Sequence, residues 1–382
     1  MRNQESLTKS ESEPKVKRIL QQGAIMMPGH RRRFFTKFLL IIASCTVALL
    51  LGEIAVRVCS AVMYRVPLVV SDEQAGWALA PDLRDQIRVG DGGQYVISTD
   101  GEGHRITHRT AERSAAINPS VILVGDSFVQ GQCVNDTETF AWILAHETSL
   151  NVVNLGVLGY GTDQELVSLR AYLEAHPTLE VRDVVVVVFD NDFIDVQVDS
   201  HPALGRSKPC FRVRDGRLET AGYRRSLSDR LMDLSSLYWL INSKRALLFK
   251  DPEPGVAGGS EVVLACVEAM RDIATRRGAR FHVLAHRHLR GLKPFPESVW
   301  VDFLHRSGAM DITPDLRAMK GADPMGYDRG HWSAAGHRLV ASLVNERLEA
   351  ASAPKPAPLL EDSASNGQEN RLQSDVSAAI KN

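Results

Sequence analysis

The stretch VILVGDSFVQG, from Val121 to Gly131, decides the fold. Four apolar residues without alternation read as a strand buried on both faces, and Gly125-Asp126-Ser127 then turns the chain toward a helical region. A serine at that turn stands at the carboxyl edge of a parallel sheet, where open α/β sheets bind their ligands. Taken alone, Asp126 and Ser127 serve equally as a helix cap closing a strand-to-helix turn.

Working outward, similar runs recur as NVVNLG at 151–156, DVVVVVF at 183–189 and FHVLA at 281–285. Helix-length stretches at 137–148, 163–175, 260–277 and 334–349 separate or follow them. This alternation predicts an α/β domain over 117–350, a doubly wound parallel sheet built from right-handed crossover units. Residues 59–116 hold several glycines and short alternating runs such as QYVIST, which predict a linker and a small β-rich element. Residues 1–37 and 351–382 are polar, charged or rich in Ala, Pro and Ser, and are expected to be disordered.

The 382 residues, 44% of them hydrophobic, suffice for one substantial core plus an anchor. With 45 basic and 46 acidic residues, no net field favours nucleic acid, which is not expected as a partner. The five cysteines form no CxxC or His-rich spacing, so neither a zinc site nor a disulfide framework is indicated.

Residues 38–58 are read as one transmembrane helix. At roughly 1.5 Å per residue, FLLIIASCTVALLLGEIAV (Phe38 to Val56) spans a hydrocarbon core of about 30 Å. Glu53 falls near one end, where it can reach the interface or pair with Arg57 one turn on. Arg31, Arg32, Arg33 and Lys37 precede the run, which predicts a cytoplasmic N-terminus and a catalytic domain outside the cytoplasm, periplasmic or extracellular in a bacterium. Two alternatives stay open. A start at Met26 or Met27 gives the short basic region of a cleaved signal peptide, and Ile-Ala-Ser-Cys at Cys45 has the look of a lipidation site.

The chemistry becomes specific at the far end. In YDRGHWSAAG (327–336), Asp328 and His331 are three apart on a loop or first turn. That spacing brings both side chains to one side, so Asp328 can orient the imidazole while His331 acts as general base toward Ser127. Singly, His331 is a helix-capping histidine and Asp328 a turn residue; jointly those readings lose ground.

GDSF at 125–128 and DxxHW at 328–332, followed by Gly336, resemble the first and last blocks of the SGNH (GDSL-type) hydrolase superfamily. NLGVLGYGTDQ at 154–164 is similar to its second block, whose second glycine, here Gly159, donates an amide to the oxyanion hole; Gly156 and Gly161 are weaker candidates. FDNDF at 189–193 is similar to the third block, with Asn191 as the match and Asp190 where glycine is usual. The resemblance implies a flavodoxin-like three-layer α/β/α domain over about 117–350. Ser127, Asp328 and His331 would form its triad, and Ser127, Gly159 and Asn191 its oxyanion hole, with no metal or cofactor. GWALAPDLR at 76–84 also resembles what precedes this domain in membrane-anchored members.

Other residues are read as structural. Cys133 has no histidine patterned to it and is expected as a small buried thiol. His286 and His288 in AHRHLR are expected on a solvated basic loop, and Trp332 beside His331. Tyr238 and Trp239 fit an amphipathic helix, in the core or as a lid. The leading expectation is hydrolysis of an ester on an envelope carbohydrate or a lipid. Acyl transfer to a sugar hydroxyl beside polysaccharide-assembly partners, and a non-catalytic glycan-binding or scaffold protein on this fold, are the alternatives.

Overall fold

The computed structural model describes residues 28–64, 67–90, 93–108, 119–148, 150–201, 204–220, 222–248, 255–287, 295–319 and 330–352. Helix α1 (Pro28–Tyr64) comes first. Pro28 in its first turn and Pro67 just beyond its end bracket it, since proline starts a helix without loss but cannot continue one. From Arg33 to Val62 it is long and apolar enough to cross a membrane, and large side chains such as Leu39, Leu40, Leu50 and Leu51 are exposed.

Two antiparallel hairpins follow, β1 (Val69–Asp72) with β2 (Gly76–Leu79), and β3 (Gln86–Gly90) with β4 (Gly93–Ile97). The central sheet comprises β5 (Ser120–Val124), β6 (Asn151–Asn154), β7 (Val181–Phe189), β10 (Arg280–His286) and β11 (Met310–Asp311), all parallel. Their order across the sheet is β11-β10-β7-β5-β6. This is the flavodoxin-like order, whose switch point lies between its first and third strands, here β5 and β7.

The odd and even residues of these strands feed two separate cores, as a two-sided parallel sheet requires. Val184, Val186 and Val188 of β7 join Ile122 and Val124 against Leu166 and Leu169 of α4 (Thr162–Ala175). Val267 and Met270 of α8 (Val256–Arg276), with Trp300 and Phe303 of α9 (Glu297–Ser307), complete that layer. On the other face, Val185, Val187, Val121 and Leu123 meet Phe140 and Leu144 of α3 (Phe140–Glu147). Leu316 of α10 (Thr313–Ala318) and Val340 and Val344 of α11 (Ala334–Ala350) lie on the same side. The architecture is thus the three-layer α/β/α expected from the sequence.

Between β7 and α8 the chain forms the short α5 (Asp192–Asp195), a hairpin of β8 (Phe211–Arg214) with β9 (Arg217–Thr220), and two consecutive helices, α6 (Leu227–Leu234) and α7 (Ser236–Leu248). Tyr238 and Trp239 lie on α7, which packs on α1 and α6 rather than in either sheet core.

Candidate active site

Ser127 opens α2 (Ser127–Gln130), the helical turn after β5. Asp126 caps it by accepting the Phe128 N–H at 2.9 Å, so the cap of this turn is Asp126 and not Ser127. Gly125 is required by close approach, because an added Cβ would lie 2.2 Å from Val129 Cγ2. His331 Nε2 lies 3.0 Å from Ser127 Oγ, within hydrogen-bond distance. Its ring leans on Phe128, which also meets Trp332, so the imidazole is positioned by the residue next to Ser127. Asp328 lies outside the described residues.

Gly159 and Asn191 sit at the same carboxyl edge, in the segments after β6 and β7. Gly159 has φ +72°, in the left-handed region, and a Cβ there would meet His201 Nε2 at 2.6 Å. Two independent features therefore demand glycine. Asn191 Nδ2 donates to Asp195 Oδ2 at 2.9 Å, which fixes the carbamoyl plane and leaves the second N–H of that amide for another acceptor.

Several further contacts support this edge. Trp77, fully buried on β2, donates from Nε1 to Leu158 O at 3.0 Å and packs edge-on to both Tyr160 and His201. Tyr160 Oη donates back to Trp77 O, and Gln164 Nε2 to Ala75 O at 2.7 Å. The GWALAPDLR segment thus buttresses the Gly159 turn. Burial, with Lys208 adding, pushes the His201 imidazole down to about 4, so it stays neutral beside Gly159. Lys208 Nζ, itself buried, donates to Asp163 Oδ1 and to Asp195 O, both at 2.8 Å, and ties α4 to the end of α5. Arg105, 1% exposed, donates from Nε to Asp136 at 2.9 Å and from its other nitrogens to the carbonyls of Val96, Gln130, Gly131 and Val134. It pins the loop that follows α2.

Beneath the edge lies an acidic group. Burial pushes the Asp126 carboxyl up to about 7, with Asp190 adding repulsion. Glu165 and Asp192 are fully buried and their carboxyls are raised well above the usual range, first by burial, then at Glu165 by the charges of Asp126 and Asp163 and at Asp192 by those of Glu165 and Asp126. Among the described residues, neither oxygen of Glu165 meets a hydrogen-bond donor. Among the described residues no cluster of His, Cys, Asp and Glu has the arrangement of a metal site.

Two sequence expectations need restating. His286 is fully buried at the end of β10, stacked on Phe189 at 4.5 Å and edge-on to Phe128 at 4.4 Å, rather than on a solvated loop. The strand extends one residue beyond FHVLA, and the aromatic cluster around Trp332 takes up the ring; His288 lies outside the described residues. Cys133 is partly exposed with φ +72° in the turn after α2, so it is a turn residue and not a buried thiol.

No family model matches the chain, and no curated protein does. Among solved structures, the psychrotrophic esterase EstA from Pseudoalteromonas sp. is similar at 11% identity and a TM-score of 0.36, over 62% of this chain and 99% of that one. AlinE4, a SGNH-hydrolase family esterase, is similar at 13% identity and a TM-score of 0.30, over 63% and 99% of the two chains. A carbohydrate esterase family 2 enzyme with its carbohydrate-binding domain, from Corynascus thermopiles, gives 15% and 0.36 over 68% and 73%. In the order of its four sequence blocks and of its five parallel strands, the chain resembles the SGNH (GDSL-type) hydrolases.

Proposed function

We propose that this protein is a membrane-anchored ester hydrolase of the SGNH type, acting through an acyl-enzyme on Ser127. The observation that carries the reading is the 3.0 Å contact between His331 Nε2 and Ser127 Oγ at the carboxyl edge of the sheet. Ser127 Oγ attacks the ester carbonyl as His331 takes its proton, and His331 returns that proton to the leaving alcohol. Water then enters by the same route in reverse. Asp328, three residues before His331, holds the imidazole in the tautomer that leaves Nε2 open to the serine. The oxyanion is met by the Ser127 and Gly159 amides and the remaining N–H of Asn191, a donor set suited to a tetrahedral intermediate.

The substrate class is a carboxylic ester on a carbohydrate or a lipid outside the cytoplasm. The basic residues Arg31, Arg32, Arg33 and Lys37 before the apolar part of α1 support that orientation. The test is turnover of p-nitrophenyl acetate and butyrate by the detergent-solubilised full chain beside Ser127→Ala, with intact-mass detection of a fluorophosphonate adduct. Turnover and one adduct, both lost in Ser127→Ala, are expected. Folded protein with neither would sink the hydrolase reading.

A further inference from the structure

Glu53 is the one acidic residue in the apolar part of α1, and its carboxylate is fully engaged. It accepts Ser235 Oγ at 2.7 Å, Ser236 N at 2.9 Å and Leu237 N at 3.0 Å, which are donors at the start of α7. Arg57 pairs with it at 2.6 Å and donates from Nη2 to Leu234 O at 2.7 Å, at the end of α6. The α6–α7 corner is therefore latched to a fixed point on α1. At roughly 1.5 Å per residue, that point lies about 30 Å along the helix from Arg33, the thickness of a hydrocarbon core. On the membrane-anchor reading, the corner sits near the end of the apolar stretch Phe38–Val56 that crosses the bilayer.

On α6, Leu227, Leu231 and Leu234 are 73%, 37% and 71% exposed. Their i, i+4, i+7 spacing puts them on one face, while Asp229 and Met232 are buried on the other. Trp239 and Ile241 on α7 are exposed as well. Arg224, Arg230 and Lys244 lie exposed around them, and a depression lined by Glu73, Tyr223, Arg224, Arg225, Leu227 and Arg230, in which Glu73 pairs with Arg225 at 2.8 Å, opens beside the leucines. An apolar face with basic flanks and a tryptophan is the composition of a helix lying in a membrane interface. No protein segment among the described residues covers it.

We infer that α6 and α7 form a membrane-surface platform, with Leu227, Leu231, Leu234 and Trp239 in the headgroup–acyl boundary of the bilayer that α1 crosses and the arginines against anionic phospholipid headgroups. This rests on the membrane-anchor reading. The same helices hold the wall of the active site. Asp233 accepts Ser71 Oγ at 2.6 Å and Arg206 Nη1 at 3.1 Å, Asp229 accepts Ser207 N at 3.0 Å, and this segment carries His201 against Gly159. The catalytic edge is thereby held at a fixed attitude to the membrane instead of swinging on a tether.

The remaining four tryptophans, Trp77, Trp142, Trp300 and Trp332, are buried, so lipid-borne quenchers report on Trp239. The full chain is reconstituted in phosphatidylcholine–phosphatidylglycerol vesicles with and without brominated phosphatidylcholine, and resistance to alkaline carbonate extraction is measured on the same samples. Bromolipid quenching is expected, absent in Trp239→Phe and largely lost in Leu227→Ser/Leu234→Ser, with all three proteins resisting extraction. A carbonate-resistant chain whose emission ignores the bromolipid overturns the platform and leaves the anchor standing. Release of the wild-type chain by carbonate overturns both.

Discussion

Replacing Glu165 with glutamine should flatten the dependence of stability on pH. Glu165 is fully buried on α4, neither of its oxygens meets a donor among the described residues, and the charges of Asp126, Asp163 and Asp195 act on it, with Lys208 as the opposing charge. Its carboxyl is raised well above the ordinary range by burial first and those neighbours second, so the folded chain keeps a proton that the unfolded chain has lost. Stability from this group is complete below the unfolded value of about 4.3 and drains away as pH rises toward the folded value, by up to about 1.4 kcal/mol per unit. Glutamine mimics the protonated carboxyl without titrating. The stability difference between Glu165→Gln and wild type should therefore widen in favour of the variant by about 1.4 kcal/mol for each pH unit in which Glu165 stays protonated. Urea unfolding of both proteins in detergent, followed by tryptophan emission from about pH 5 to about pH 8, measures this through midpoints at constant slope. The catalytic rate offers a second readout, because carboxylates ionising beneath Ser127 and Asn191 oppose a developing oxyanion. Glu165→Gln should hold its activity to higher pH. A stability difference that stays constant across the range would refute the reasoning, since it would mean that Glu165 is already charged in the native state.

Trp77→Ala should cost about 3–5 kcal/mol as a truncation of a fully buried ring, and should lower kcat because the Leu158–Tyr160 turn carrying Gly159 loses its brace. Trp77→Phe keeps most of the packing and loses the bond to Leu158 O, about 1 kcal/mol by urea unfolding. Arg105→Met leaves Asp136 buried without its cation and should destabilise by about 3–5 kcal/mol, with part recovered in Arg105→Met/Asp136→Leu. His337, stacked on Phe140 and accepting the Phe140 N–H at 3.2 Å, is pushed down to about 3 by burial, with Arg105 and His331 adding. Below about 6.5 the unfolded chain takes up a proton that the folded imidazole refuses, so stability falls toward pH of about 3 by up to about 1.4 kcal/mol per unit. His337→Gln should remove that acid limb in the same unfolding series.

The sheet was legible because a strand buried on both faces reads as an unbroken apolar run, and 121–124, 151–154, 183–189 and 281–285 all do. Met310–Asp311 was not, since two residues carry no period and its pairing comes wholly from β10. Ser127 and His331 could be singled out because each sits in a short block at a chain turn, and their side chains lie 3.0 Å apart. Arg105 and Lys208 could not, since a buried cation is identified by its partner, and Asp136 and Asp163 lie 31 and 45 residues away. Glu165 is hidden for a related reason: a glutamate in a helix reads as solvent-facing until the strand ends of a neighbouring layer are known. His286 was misjudged from basic neighbours in sequence, when its neighbours in space are Phe128, Phe189 and Trp332.

Ser127 and His331 are 204 residues apart in the chain, and that separation sets when they can meet. Translation delivers α1 first, Ser127 next, and His331 only when the segment leading into α11 has been made. Docking of α11 and Trp332 onto Phe140 and Phe128 then brings the imidazole to the hydroxyl. A nascent chain that ends before residue 331 carries Ser127 without the imidazole that stands beside it in the folded protein. If that pair does the proposed chemistry, the chain acquires it only after α1 and all five strands of the central sheet have been made.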